Sequence, residues 1–172
     1  LLNENQRALS RLVDLCARSQ YIAGQIARYP ALLDEFLDPR IYSEGVTKGD
    51  LADELQQRLA GEESLDSEEK MQVIAQFQRA AMFRIAVADF NDKLPMMKVS
   101  DGLTWLAEVI LDEALRVAWA DMTKRHGVPR YVADGAVHEA GFGIVGYGKL
   151  GGLELSYGSD LDIVFLHDAI GE

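Results

Sequence analysis

The chain has 172 residues and a formal net charge of −11, with nearly half of its residues hydrophobic, enough to bury a core but with no basic stripe of the kind that grips nucleic acid. No run of about twenty apolar residues occurs, so no membrane span is expected. A single cysteine, Cys16, excludes an intramolecular disulfide and fits a reducing cytoplasm. The start, Leu1-Leu-Asn-Glu-Asn, has neither Met nor a basic flank, and the chain stops at Gly171-Glu172, so a piece of a longer protein is expected.

Helical periodicity runs almost unbroken to about residue 126. Leu9, Leu12, Val13 and Cys16 mark one amphipathic helix with Cys16 in its apolar rhythm; Tyr21, Ile22, Ile26 and Tyr29 mark a second, ended near Pro30. Leu32-Leu33-Phe36-Leu37 form a short turn of helix stopped by Asp38-Pro39. Ile41 to Gly49 reads as irregular, and Leu51, Leu55 and Leu59 as a further helix ended by Gly61.

Two long helices dominate the middle. In the first, Asp66 or Ser67 caps and Glu69 closes a capping box; Met71, Ile74, Phe77, Ala81, Ile85 and Ala88 form its stripe, and Leu94-Pro95 its end. The second is expected from Ser100 or Asp101 through Leu103, Leu106, Ile110, Ala114 and Val117. Gly127 and Pro129 stop it, and Lys124, Arg125 and His126 suit the negative end of its dipole. The pair is expected to pack antiparallel, with Trp105 and Trp119 in the core. The acidic residues Asp50, Asp53, Glu54 and Glu62 to Glu69 read as solvated helix faces and caps.

After Pro129 the character changes. A polar segment leads to Gly141, and Phe142–Tyr147 and Leu161–Leu166 read as strands. The fold expected is mainly α: a helical, bundle-like segment over residues 1–135, then the first strands of an incomplete α/β domain over 136–172.

The chemistry concentrates between those strands. Asp160 and Asp162 stand two residues apart at the opening of the second strand. Alternation would place both on one face, with Leu161, Ile163 and Phe165 on the other. Two acids side by side suit a divalent metal, and a glycine-rich turn beside them suits phosphate. That pairing is the chemistry of nucleotidyl transfer.

Other readings fare worse. Gly146-Tyr-Gly148-Lys-Leu-Gly151 matches the dinucleotide fingerprint G-x-G-x-x-G, and Asp168 lies about twenty residues on. That fold needs a crossover helix of about ten residues between its strands, whereas Leu153–Ser159 contains Ser156-Tyr-Gly-Ser, which is turn chemistry. A calcium loop fails because apolar Ile163-Val-Phe-Leu follows the acids. The bland alternative makes Asp160 and Asp162 solvent-facing residues and the glycines a tight hairpin; the apolar residues behind the acids argue instead for a buried strand that holds them at a site. His126 at a helix end, His138 in a loop and His167 at a strand end have no metal-ligand spacing.

A glycine, then about ten residues, then Ser159-Asp160-Leu161-Asp162 resembles the signature of the polymerase-β-like nucleotidyltransferase superfamily, with Lys149 where that superfamily usually has serine. The longer string from Gly146 to Asp162, Gly-Tyr-Gly-Lys-Leu-Gly-Gly-x-Glu-Leu-x-x-x-Ser-Asp-Leu-Asp, is similar to the glutamine synthetase adenylyltransferase family. So are Leu2-Asn-Glu-Asn, Ala27-Arg-Tyr-Pro-Ala-Leu-Leu-Asp-Glu and Met97-Lys-Val-Ser-Asp-Gly-Leu-Thr-Trp-Leu-Ala-Glu, which extends the likeness over nearly the whole chain.

The resemblance implies a large enzyme of two similar halves. One moves AMP from ATP to a tyrosine of glutamine synthetase, and the other removes it by phosphorolysis under a PII-type signalling protein and glutamine. The helical segment looks more like the one preceding the adenylylating half. Asp160 and Asp162 would hold Mg²⁺, and the backbone around Gly148, Gly158 and Ser159 would cradle phosphate. Lys149 is equally a phosphate contact or a solvated lysine, and Glu154 a support for the turn. The superfamily's third carboxylate comes from a later strand, and Asp168 is too close to Asp162 to replace it, so the chain alone is expected to be inactive. Two other readings stay open: the helices as a module docking glutamine synthetase or the PII-type regulator, and another nucleotidyltransferase of this fold acting on a small molecule or nucleic acid.

Overall fold

A computed structural model of the chain describes residues 6–37, 46–60 and 65–169. The readings placed on Leu2-Asn-Glu-Asn, Asp38-Pro39, 41–45, Gly61, Glu62-Glu63 and Gly171-Glu172 lie outside them. The expectation of a mainly helical chain holds: α1 (Gln6–Arg18), α2 (Gln20–Arg28), α3 (Leu32–Leu37), α4 (Lys48–Ala60), α5 (Ser67–Phe90) and α6 (Met96–His126) precede all of the strands.

The helix ends follow from local chemistry. At α5 the expected capping box forms: Asp66 Oδ1 accepts from Glu69 N–H and Glu69 Oε2 from Asp66 N–H, both at 2.8 Å. Asp66→Ala is expected to cost about 1 kcal/mol, read as a lower urea midpoint at unchanged slope. The irregular reading of Ile41 to Gly49 fails at its end, where α4 starts at Lys48. Thr47 Oγ1 accepts from Asp50 N–H at 3.1 Å while Asp50 Oδ2 accepts from the Thr47 hydroxyl at 2.7 Å, a reciprocal cap with aspartate in the glutamate position. The Thr47 hydroxyl and then the Thr47 N–H, both donating to Oδ2, hold the Asp50 carboxyl below its usual range.

The loop between the long helices is shorter than expected. Helix α5 stops at Phe90 rather than near Leu94, because Asp92 takes a left-handed backbone (φ 54°). Its N–H bonds Asp89 O at 2.9 Å and Lys93 N–H bonds Ala88 O at 3.0 Å, a Schellman ending built on aspartate in place of glycine. Helix α6 then starts at Met96, ahead of the expected Ser100, since Pro95 has the φ of a helix entrance and its carbonyl accepts from Lys98 and Val99.

Helices α5 and α6 pack as a hairpin. Ile74, Phe77, Ala81 and Ile85 meet Val99, Leu103, Leu106, Val109 and Val117, and Leu51 and Leu55 of α4 join this cluster. A Cβ on Gly102 would sit 3.4 Å from Ile85 Cδ1, which shows how closely the helices approach. A second cluster joins Leu15, Ile22, Leu32 and Phe36 to Phe83 and Val87. Between α3, α4 and α5, Arg84 bonds Glu35 and Glu54, and Arg58 bonds the same two carboxylates.

Three stripe residues point outward: Met71 is 45% exposed, Val13 61% and Leu9 37%. In α1 Leu15 is buried, and Ala8, Leu12 and Cys16, each half-buried, pack against the same cluster, as the apolar rhythm of Cys16 suggests.

Beyond Gly127 (φ 80°) the segment read as merely polar is a hairpin, β1 (Arg130–Ala133) against β2 (Ala136–Glu139). Asp134 and Gly135, at φ 52° and 76°, make its two-residue turn, the Asp-Gly signal that the sequence carried. His138, read as a loop residue, lies in β2 opposite Tyr131, with their rings 5.5 Å apart. A second pair follows, β3 (Phe142–Gly146) antiparallel to β4 (Ile163–His167), in register from Phe142↔His167 to Gly146↔Ile163. Between them stands only α7 (Gly148–Gly151). An antiparallel pair without a crossover helix removes the dinucleotide-fold reading.

Candidate functional site

The site is the turn between β3 and β4. Tyr147 N–H bonds Asp162 O at 2.8 Å, carrying the strand pairing one step past Gly146. Gly148 follows with φ 53°, and a Cβ there would run into the Asp162 carboxylate. Side-chain absence is therefore required twice over, by backbone conformation and by contact. Neighbouring glycines answer to packing: a Cβ on Gly146 would lie 2.8 Å from Leu150, and one on Gly151 2.7 Å from the Gly146 carbonyl oxygen.

The second part of the turn is closed by serines. Ser159 N–H bonds Ser156 O at 3.0 Å, Ser156 N–H bonds Ser159 Oγ at 3.0 Å, and the two hydroxyls are 2.9 Å apart. Gly158, at φ 75°, makes the bend. Asp160 and Asp162 come next, both exposed. Among the described residues neither carboxylate takes part in a hydrogen bond or ion pair.

Strand β4 starts at Ile163, so the acids lie on its approach rather than within it. Nor is the strand buried as expected: Val164, Phe165 and Leu166 are 43%, 59% and 52% exposed. The described helices reach the pair at Ile163 and through Trp119, whose ring is 6.2 Å from Phe142, leaving those three side chains uncovered. Trp119 and Trp105 are only half-buried.

What fixes the turn is its apolar underside. Leu150 and Leu155 are buried in the cluster formed by α4, α5 and α6. Tyr157, half-buried, donates its hydroxyl to Asp89 Oδ2 at 3.1 Å, and its ring lies 5.4 Å from that of Tyr21. Burial, then the charge of Asp89 and the bond to it, push the Tyr157 hydroxyl far above the usual phenol range, so it stays a donor at any working pH. Residues 89 and 157 had no sequence signal, since the bond joins positions far apart in the chain.

The expected site residues divide clearly. Gly148 and Asp162 are in direct contact, and Gly158 and Ser159 lead straight into Asp160. Lys149 is exposed, its carbonyl accepting from Glu154 N–H at 2.8 Å, so Glu154 closes the turn through its backbone. Asp168 is committed elsewhere: its Oδ1 accepts from Gly141 N–H at 2.6 Å at the far end of β4. The five residues of β4, a span of about 20 Å, separate it from Asp162.

Two unpaired, exposed carboxylates are hard oxygen donors of the kind that suit Mg²⁺, and bare Gly148 lets one of them lie against the backbone of the turn. Among the described residues no group of three or more His, Cys, Asp or Glu side chains could hold an ion, so further ligands would be water, phosphate or another carboxylate. A groove of about 770 Å³ opens between α4, α6, β3 and the near side of the turn, where Leu150, Gly151 and Leu153 line it; neither Asp160 nor Asp162 does.

The profile of the glutamate-ammonia ligase adenylyltransferase family matches residues 9–172. The chain belongs to this family. Two curated relatives, each named bifunctional glutamine synthetase adenylyltransferase/adenylyl-removing enzyme, were found in Thioalkalivibrio sulfidiphilus and Pseudomonas putida. The first is 51% identical over 172 residues and the second 50% over 169. These alignments cover 100% and 98% of the chain but only 18% and 17% of the relatives, so the chain spans under a fifth of their length. Both the helices and the glycine–carboxylate turn fall inside the adenylyltransferase family match.

Proposed function

We propose that the chain is part of a longer adenylyltransferase that moves AMP from ATP onto a tyrosine of glutamine synthetase, and that Asp160 and Asp162 are two of its metal-binding carboxylates. The contact between Gly148 and the Asp162 carboxylate carries this reading, because it sets a bare backbone turn against an unpaired acid. Family membership and the relatives' printed names support the reaction. The adenylyl-removing activity in those names would belong to the other half of the enzyme, which would release AMP to phosphate as ADP.

In the reaction, the tyrosine oxygen attacks the α-phosphorus, the bond to pyrophosphate breaks, and the phenol proton is lost. Mg²⁺, when bound, would neutralise charge on the triphosphate and on departing pyrophosphate. Asp160 and Asp162 would supply its oxygen donors. Backbone N–H groups around Gly148, Gly158 and Ser159 would orient phosphate. The Ser159 hydroxyl, accepting from Ser156 N–H, can turn its own proton toward a phosphate oxygen when the Ser156 hydroxyl donates to it. Lys149, exposed and next to Gly148, would add a point charge. Lys149→Met is then expected to raise the KM for ATP about tenfold; an unchanged KM would make it a solvated lysine.

The helices over 1–135 serve as the scaffold on which residues 136–172 fold, an assignment supported by the burial of Leu150 and Leu155 among α4, α5 and α6. A third carboxylate would come from elsewhere in the longer protein, which is why the chain alone is expected to transfer nothing. The setting would be cytoplasmic, with a PII-type protein as regulator. Net charge of −11 speaks against nucleic acid as substrate, and no described helix is long and apolar enough to cross a membrane.

The test is transfer of labelled AMP from ATP to glutamine synthetase by the full-length protein in which the other half has been inactivated. Incorporation is expected. Phosphate-dependent removal of AMP alone would assign the chain to the opposite half, and neither activity would sink the reading.

A further inference from the structure

We infer that Tyr157 is a positioning residue: its hydrogen bond to Asp89 ties the segment carrying Gly158, Ser159, Asp160 and Asp162 to the C-terminal end of α5. This deepens the proposed function and rests on it for its catalytic meaning. Among the described residues, this is the only side-chain hydrogen bond that crosses from the helices to the segment after Pro129. The remaining links are apolar and ring contacts of Leu150, Leu155, Tyr157, Ile163 and Phe142, which resist separation without fixing direction.

The surroundings favour a rigid anchor. Tyr157 is bracketed by the Ser156–Ser159 turn, so fixing its ring fixes the bend just before Asp160. Tyr21 of α2 closes over that ring at 5.4 Å. On the other side, Asp89 sits in the Schellman ending of α5, where its own carbonyl accepts from Asp92 N–H at 2.9 Å. That end of α5 is gripped again by Arg18 of α1, which donates to Phe90 O at 2.8 Å. These bonds fix the backbone that carries the Asp89 carboxylate, and so the direction in which the phenol points. The helices thereby do more than shelter the turn: α2 and α5 meet at the residue that aims its carboxylates, and α1 braces the end of α5.

Tyr157→Phe in the full-length protein keeps the ring and its contact with Tyr21 while removing the bond. Amide hydrogen exchange across residues 156–162 is expected to rise about tenfold, with the α5 and α6 cores unchanged. Half-saturation by Mg²⁺ in the AMP-transfer assay is expected at about tenfold higher metal, most of the rate returning at saturation. Asp89→Ala should reproduce both effects, and the double variant should be no worse than either single one. Unchanged exchange over 156–162 in Tyr157→Phe would overturn the inference, as would acceleration spread equally through the cores. Faster local exchange in a protein whose unsubstituted form transfers no AMP would sink the functional reading and leave the link standing.

Discussion

Replacing Asp162 by asparagine in the full-length protein is expected to lower AMP transfer by more than the about 100-fold that loss of a partner behind a metal ligand can cost. Asparagine keeps the size and one oxygen of the side chain but removes its charge, and a hard cation then faces a neutral amide. Folding should be spared. The Asp162 carboxylate has no partner among the described residues, and the strand pairing it joins runs through its backbone carbonyl to Tyr147 N–H. A stability change within about 0.5 kcal/mol, set beside a near-complete loss of transfer, would separate chemistry from folding. Asp160→Asn is expected to behave alike. Thermal unfolding and labelled-AMP incorporation, measured on the same preparations, check both.

The second large effect is at Gly148. Its φ of 53° costs an alanine about 1–2 kcal/mol, and the added Cβ would also collide with the Asp162 carboxylate. Either the carboxylate turns aside or the backbone shifts, and a displacement of about 1 Å at a reacting centre can cost about 100-fold. Gly148→Ala should therefore lose about two orders of magnitude in transfer for a modest loss of stability. Gly158 provides the contrast. It too has positive φ, at 75°, but nothing lies within 4 Å of a Cβ built there. Gly158→Ala, which bears similar backbone strain but meets no neighbouring atom, should retain most activity. Equal losses at the two positions would show that backbone strain alone, rather than contact with Asp162, sets the requirement for glycine.

Much of the helical order was legible because helix ends are written locally. Asp66 and Glu69 announce the start of α5, Gly127 the end of α6, and Pro30 the end of α2. Where reading failed, an unusual residue filled a familiar role: Asp50 closes the cap of α4, Asp92 takes the left-handed ending of α5, and Pro95 opens α6. Periodicity misjudged Val13 and Met71 because a stripe of apolar residues can be wider than the face that is covered. Asp134-Gly135 carried a hairpin signal that the surrounding polarity masked.

At the site, spacing drew attention to the glycines and the two acids and the family resemblance gave them roles, but their contact had no signal in the sequence. Gly148 meets Asp162 because β3 and β4 pair in one particular register. The bond from Tyr157 to Asp89 depends on how α5 lies against the turn, which is set by the packing of Leu150 and Leu155. Long-range geometry of that kind has no local signature.

The most direct test is binding of Mn²⁺, as a spectroscopic substitute for Mg²⁺, to the full-length protein in the presence of ATP, followed by electron paramagnetic resonance with the other half's site inactivated. Binding that needs ATP, and that both Asp160→Asn and Asp162→Asn abolish, is the predicted result. Undiminished binding in both variants would contradict the assignment of these carboxylates as the metal–nucleotide site.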